Sequence, residues 1–124
     1  MAVAHEAVVR KALTYMESNL GTQLTVAKIA AHTGYSVSWL KKAFCQMTGS
    51  SILPNLIRLR LDRAKQLLEE TNLNVSEIAF DVGFKTYTSF AIRFGKYAGT
   101  TATEYRKHAR GQNAGSRNSV SQQN

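Results

Sequence analysis

The sequence contains a single cysteine among its 124 residues. With only Cys45 present, no internal disulfide can form and no cysteine-based zinc site can be assembled. The three histidines, His5, His32 and His108, are scattered without the spacing of metal ligands. No run of about eighteen apolar residues is present, and the first residues lack the order of a secretory signal. We therefore expect a cytoplasmic protein with no metal and no membrane partner.

Groups typical of catalytic sites are also missing. The sequence shows no glycine-rich phosphate loop, no Ser/His/Asp grouping and no pair of acids at catalytic spacing. Cys45 falls late in a predicted helix, without a neighbouring histidine that would activate its thiol. We expect no enzymatic activity and no cofactor.

Acidic residues are few. Eight Asp and Glu stand against sixteen Lys and Arg, which gives a formal net charge of +8. Because Lys and Arg release condensed counterions when they neutralise phosphates, this balance favours a polyanionic partner. The length allows one compact domain or two small subdomains, and it leaves few apolar residues for a ligand pocket.

Apolar residues recur at helical spacing along most of the chain, which predicts an all-α protein. The predicted helices cover residues 5–20, 25–33, 37–47, 53–71, 74–82, 86–97 and 102–108. Two of them carry the expected core stripes Val37, Leu40, Phe44, Met47 and Tyr87, Phe90, Phe94, Tyr97. Asn74 and Glu77 form a capping pair. Residues 111–124 are rich in Gln, Asn, Ser and Gly, which predicts a disordered tail.

The two halves of the chain repeat one pattern. Ile29-Ala30 and Gly34-Tyr35 match Ile78-Ala79 and Gly83-Phe84 at an offset of 49, and Leu40, Phe44 and Gly49 match Phe90, Phe94 and Gly99 at an offset of 50. Each copy reads as helix, glycine-containing turn, helix, which is helix-turn-helix patterning. We expect a first subdomain over residues 5–53, a linker helix over 54–71 and a second subdomain over 72–110.

At these residues the sequence resembles the DNA-binding domain of the AraC/XylS family of bacterial transcription regulators. The most specific stretch comprises Ile78-Ala79, Val82-Gly83-Phe84, Phe90, Phe94 and Gly99-Thr-Thr-Ala-Thr-Glu-Tyr105-Arg106-Lys107. The linker-helix pattern of the family is matched by Gly49, Ser51, Arg60-Leu61, Ala64 and Leu67-Leu68. The chain departs from common family choices at Ile52 and Ala102 (proline), Asn55 (tyrosine), and Ile92 and Gly95 (basic residues).

The resemblance implies two homeodomain-like helix-turn-helix subdomains and a sequence-specific regulator of transcription. It also implies an activator that contacts RNA polymerase, whereas the sequence alone leaves activation or repression open. The chain resembles a short, stand-alone member of the family or a fragment of a longer one.

In a helix-turn-helix, the second helix enters the major groove and its residues opposite the core face the bases. In the first unit that outer stripe is Ser38, Lys41, Lys42 and Cys45, and in the second it is Thr88, Ala91, Ile92 and Gly95. We predict base contacts from Ser38, Trp39, Lys41, Lys42, Thr88, Ala91 and Ile92. Lys reads guanine, whereas apolar side chains reach only thymine methyl groups, so the DNA site should be asymmetric. Packing of Trp39 and burial of Ile92 in the core are the open alternatives.

Phosphate contacts, which position the protein without reading sequence, are predicted from residues beside these stripes. They are Ser36, Lys85, Thr86, Arg93, Lys96, Arg106 and Lys107. A linker helix of about eighteen residues spans about 27 Å, close to the roughly 34 Å between successive major-groove faces. A monomer is therefore expected to cover two adjacent grooves.

A second interpretation stays open at this point: a basic helical adaptor that binds an acidic protein partner instead of DNA. The charge alone permits it, and steep salt dependence with a preferred sequence would distinguish DNA binding. Glu77 and Asp81 form an acidic pair that could contact RNA polymerase, although helix capping and the helix dipole also explain them.

Overall fold

The computed structural model describes residues 2–113, with side chains from residue 5 to residue 111. Seven α-helices and no strand occupy this range, which confirms the all-α prediction. They are α1 (Ala2–Ser18), α2 (Val26–Thr33), α3 (Val37–Thr48), α4 (Ile52–Glu70), α5 (Val75–Asp81), α6 (Tyr87–Ala98) and α7 (Ala102–Asn113). Within the described part of the chain, none of these helices combines the length and apolar content needed to cross a membrane.

The chain divides into two compact units, unit 1 (Met1–Arg60) and unit 2 (Leu61–Asn124). The division falls inside α4, so that the first half of this helix belongs to unit 1 and the second half to unit 2. The predicted linker helix over residues 54–71 is thus shared between the two units.

Unit 1 is built on α1, whose apolar residues recur on one face because of the 3.6-residue helical period. Ala12 and Met16 of that face are fully buried, together with Ile29 of α2 and Leu40 and Phe44 of α3. Truncating a buried Phe to Ala typically costs about 3–5 kcal/mol, so Phe44 is a main source of the stability of this unit. The same packing fixes which face of α3 stays in solvent.

Local residues set the turn between α2 and α3. Thr25 caps α2 by accepting a hydrogen bond from the Lys28 backbone N–H at 3.1 Å. Gly34 ends α2 at φ 85°, a left-handed conformation that L-residues with a side chain rarely adopt. Ser36 then caps α3. The direction in which α3 leaves the turn is therefore encoded within three residues.

A buried polar network fixes the junction between α3 and α4. Asn55 is completely buried, and its Nδ2 donates to Thr48 Oγ1 at 3.0 Å and to the Ser51 carbonyl at 2.8 Å. Its Oδ1 accepts from Arg58 Nη2 at 2.7 Å. Because each polar atom has a partner, this amide is stably accommodated where the family commonly carries tyrosine.

Unit 2 repeats the architecture with α5, α6 and α7 on the second half of α4. Its core centres on Phe90 and Phe94, whose ring centroids lie 5.4 Å apart. Phe84 meets Phe90 edge-on at 5.4 Å, and Phe94 meets Tyr105 edge-on at 5.7 Å. Asn74 and Glu77 form the predicted capping box at the start of α5.

The prediction that the outer residues of the two core stripes are buried is wrong. Met47, Tyr87 and Tyr97 are exposed to 41%, 43% and 39%. They lie in the first or last turns of α3 and α6. Tyr97 instead reaches a polar partner, since its hydroxyl donates to Asp62 Oδ1 at 2.5 Å.

The last helix is longer than predicted. α7 continues five residues past His108, so residues 111–113, which the sequence predicts as tail, are helical. Arg110 holds this end of the helix, because its guanidinium donates to the Thr71 carbonyl and to Asn72 Oδ1. The remainder of the predicted tail, residues 114–124, lies outside the described residues.

Candidate nucleic-acid interface

The predicted outer stripe of α3 is exposed to solvent. Ser38, Lys41, Lys42 and Cys45 are all exposed, whereas Leu40, Ala43 and Phe44 on the opposite face are buried. Two ammonium groups and a hydroxyl therefore share one accessible surface of unit 1. Such donors suit the acceptor atoms of guanine in a major groove.

Trp39, beside this stripe, is half-buried in an aromatic cluster. Its ring stacks on Tyr35 with centroids 4.4 Å apart and 19° between the planes, and it meets His5 at 5.0 Å. It also packs against the core of unit 1. This geometry favours the packing alternative for Trp39, and it makes the ring a support for α3.

Ser36 and Thr86 occupy matching positions at the starts of α3 and α6. Ser36 Oγ accepts from the Trp39 N–H at 3.1 Å, and Thr86 Oγ1 accepts from the Ser89 N–H at 3.0 Å. Both residues are exposed. Because the caps use the hydroxyl oxygens as acceptors, each hydroxyl proton is left to donate to a phosphate.

The outer stripe of α6 is accessible and uncharged. Thr88 and Ala91 are exposed, and Ile92 is exposed to 55%, so the alternative that Ile92 belongs to the core is excluded. A Cβ added at Gly95, on the same stripe, would meet no atom within 4 Å. The flanking cations Lys85, Arg93 and Lys96 are exposed.

Arg106, from which the sequence predicts a phosphate contact, is engaged with two backbone carbonyls inside unit 2. Its Nε donates to the Leu68 carbonyl at 3.0 Å and its Nη2 to the Thr71 carbonyl at 3.1 Å. Burial lowers the pKa of Arg106 below its ordinary value, and the charge of Arg110 lowers it further. The neighbouring Lys107, whose side chain is 72% exposed, remains accessible.

Tyr87 is a candidate contact that the sequence assigned wrongly to the core. It is the first residue of α6 and is 43% exposed. The N-terminal half of a recognition helix is the part that meets base edges. The position of Tyr87 directly after the capping residue Thr86, at the start of α6, could have indicated this contact from the sequence. Within residues 2–113, no cluster of three or more His, Cys, Asp or Glu side chains is arranged to hold a metal ion.

A family model described as a helix-turn-helix domain matches residues 29–108. The HTH-type transcriptional activator AarP of Providencia stuartii is 33% identical over 106 residues, which cover 86% of this chain and 78% of AarP. The Msm operon regulatory protein of Streptococcus mutans is 32% identical over 102 residues, which cover 82% of this chain and 37% of that protein. The chain thus spans most of one relative and little more than a third of the other.

Solved structures of transcription regulators are also similar to this chain. An AraC-type transcriptional regulator from Chromobacterium violaceum has a TM-score of 0.81 and 27% identity, covering 86% of this chain and 96% of that one. The DNA-binding domain of AdpA, solved in complex with a target DNA, has a TM-score of 0.76 and 28% identity, covering 90% and 97%. The exposed stripes of α3 and α6 therefore lie in a fold that binds DNA in AdpA.

Proposed function

Because the chain belongs to the AraC/XylS family of helix-turn-helix transcription regulators, we propose that it binds one asymmetric duplex site and activates transcription there. It is a DNA-binding regulator and not an enzyme, as the domains that it matches are DNA-binding domains of regulators. The comparisons do not favour the basic adaptor that the charge alone permits.

One observation carries the proposal of groove insertion: in both units the helix after the turn has one buried face and one exposed face. On α3 the outer stripe is cationic, and on α6 the outer stripe is uncharged, with Arg93 and Lys96 exposed beside it. We propose that each helix enters a major groove, that the two grooves are successive, and that one copy of the chain suffices. Two unlike reading faces on one chain do not require a palindromic site.

The two helices are proposed to read different bases. Lys41 and Lys42 are suited to guanine O6 and N7, with Ser38 beside them, whereas Ala91 and Ile92 offer methyl groups to thymine. Phosphate contacts are assigned to exposed residues at the edges of these faces. They are Ser36, Lys85, Thr86, Arg93, Lys96 and Lys107.

RNA polymerase is a proposed second partner, and the cytoplasm is the proposed location. The support for activation is that the relative AarP is described as a transcriptional activator. The acidic pair Glu77 and Asp81 is exposed on α5, although Glu77 is engaged in the capping box. Asp81 is therefore the member of the pair that is better placed to meet a partner.

Selection of bound sequences from a random duplex pool tests the function. We expect an asymmetric consensus with a guanine-containing half and an A·T-rich half. The logarithm of the binding constant should fall linearly with the logarithm of the salt concentration. Recovery of a palindromic consensus would contradict the proposal of an asymmetric site. Failure to enrich any sequence would overturn the proposal of sequence-specific binding.

A further inference from the structure

The turns of the two repeats carry an aromatic residue at the same position but bury it differently. Tyr35 follows Gly34 in unit 1, and Phe84 follows Gly83 in unit 2. Phe84 is 6% exposed and packs edge-on against Phe90, whereas Tyr35 is 45% exposed. The same position of the repeat therefore belongs to the core in unit 2 and to the surface in unit 1.

The exposed ring of Tyr35 is held in place by its neighbours. It stacks on Trp39 with centroids 4.4 Å apart and 19° between the planes, and Trp39 in turn meets His5 of α1 at 5.0 Å. Trp39 also packs against the core of unit 1. Because the ring is already ordered, a contact through Tyr35 loses less conformational entropy than a contact through a freely rotating side chain.

The hydroxyl of Tyr35 has no hydrogen-bond partner in the part of the chain that the structure describes. The ring stacks on Trp39, and the backbone N–H donates to Thr33 Oγ1 at 3.3 Å. A phenol hydroxyl can both donate and accept a hydrogen bond. Beside the capping residue Ser36, unit 1 therefore presents a second hydroxyl that can donate to an external acceptor.

Tyr35 and Trp39 lie along one edge of the outer stripe of α3. Residues three or four apart on a helix are neighbours on its surface, so Trp39 lies between Lys42 of the stripe and the buried Ala43. When a helix lies in a major groove, its outermost residues meet the bases and the residues at its edges meet the sugar-phosphate strands. The position of Tyr35 therefore favours a phosphate over a base as its acceptor.

The two units differ in the residue that follows this aromatic position. Unit 2 has the exposed Lys85 directly after Phe84, whereas unit 1 has Ser36, whose hydroxyl oxygen caps α3. The turn of unit 1, residues 34–36, contains no cation. Building on the proposed function, we propose that the Tyr35 hydroxyl, positioned by Trp39, donates to a backbone phosphate of the DNA site. Unit 1 then contacts the strand at its turn through a neutral donor, where unit 2 uses a cation.

The salt dependence of duplex binding, measured by fluorescence anisotropy, tests this difference. A lysine that contacts a phosphate releases counterions, so Lys85→Ala should lower the affinity and reduce the slope of log K against log salt by about one. Tyr35→Phe removes a neutral donor and keeps the ring. It should weaken binding to preferred and random duplexes by about tenfold at every salt concentration, with the slope unchanged.

A matched control and variants of Trp39 locate the effect. Tyr15→Phe removes the hydroxyl of a tyrosine of α1 that stacks on His32, and it should change the Kd by less than about twofold. Trp39→Phe keeps a ring beneath Tyr35 and should retain most of the affinity, whereas Trp39→Leu should lose about as much as Tyr35→Phe. Combining Trp39→Leu with Tyr35→Phe should add no further loss, because the two side chains form one contact.

The proposal is overturned if the chain binds its selected duplex and Tyr35→Phe binds it equally well. A loss of the same size in Tyr15→Phe, or a change of salt slope in Tyr35→Phe as large as that in Lys85→Ala, would also overturn it. A chain that binds no duplex at all would overturn the proposed function and this inference together. Melting temperatures, measured in parallel, should be equal for Tyr35→Phe and the unchanged chain, because the hydroxyl has no partner among the described residues.

Discussion

Arg106 donates from Nε to the backbone carbonyl of Leu68 at 3.0 Å and so joins α7 to the last turn of α4. The final carbonyls of a helix have no partner within the helix. Arg106 and Arg110 both also reach the Thr71 carbonyl. Positive charge is favourable at a helix C-terminus, so these two arginines stabilise unit 2 from within.

Arg106→Ala should lower the free energy of unfolding by about 1–3 kcal/mol, because it leaves the part-buried Leu68 carbonyl without this donor and leaves Thr71 to Arg110 alone. Lys107→Ala, one residue along α7 and exposed, should change stability by less than about 0.5 kcal/mol. It should instead weaken binding to all duplexes. Thermal unfolding and anisotropy titrations measure both quantities. If Arg106→Ala instead weakened binding to all duplexes and left stability unchanged, Arg106 would be a phosphate contact.

Lys41→Ala and Lys42→Ala should each weaken binding to the preferred site by about 1–3 kcal/mol. Base preference should relax in one half of the site only. Arg93→Ala and Lys96→Ala serve as matched controls on α6, and they should weaken preferred and random duplexes together. If Lys41→Ala and Lys42→Ala lose affinity equally for all sequences, these lysines contact phosphates and not bases.

Ile92→Arg should raise DNA affinity and introduce a preference for guanine in the second half of the site. Arginine binds guanine O6 and N7 together, a contact worth about 1–3 kcal/mol when the base is right. Since Ile92 is 55% exposed, the melting temperature should stay unchanged. A repeat of the duplex selection with this variant gives the result. Weaker binding to every sequence by a stably folded variant would show that this face does not enter the groove.

The Tyr105 hydroxyl donates to Glu69 on α4, and this hydrogen bond, with burial and the carboxylate charge, raises the pKa of Tyr105 to about 12. Because the folded-state pKa is raised, the stabilisation is complete below the unfolded pKa of about 10. It is lost as the pH rises through about 12. Ultraviolet difference titration against Tyr105→Phe should show this late ionisation. Glu69→Gln should lower the pKa, and an unchanged titration would rule out the Glu69 contact.

The helices were predictable because local residues set them. Asn74 with Glu77, and Gly34 before Ser36, mark helix starts and turns whatever the rest of the chain does. Burial at helix ends was not predictable in this way. Met47 follows the same spacing as Leu40 and Phe44, yet it is exposed in the last turn of α3, because spacing along one helix does not reveal which side chains of other elements surround it.

The exposed face of α3 could be predicted from the core, since the residues opposite a buried stripe must be exposed. The partners of Arg106 could not be predicted, because a sequence shows the cation but not the carbonyl, 38 residues away, to which it donates. Trp39 was ambiguous for a similar reason. Its partners His5 and Tyr35 come from another helix and from the turn.

The empty space around Gly95 has an evolutionary consequence. Gly95 lies inside α6 with a helical backbone, and an added side chain would meet nothing within 4 Å. Glycine in a helix interior costs about 1 kcal/mol relative to alanine, so most replacements here would stabilise the helix. A new side chain at this position would alter the surface that we propose to face DNA, without disturbing the buried Phe90 and Phe94. The site preference that we propose for α6 can therefore diverge by single mutations that the fold tolerates.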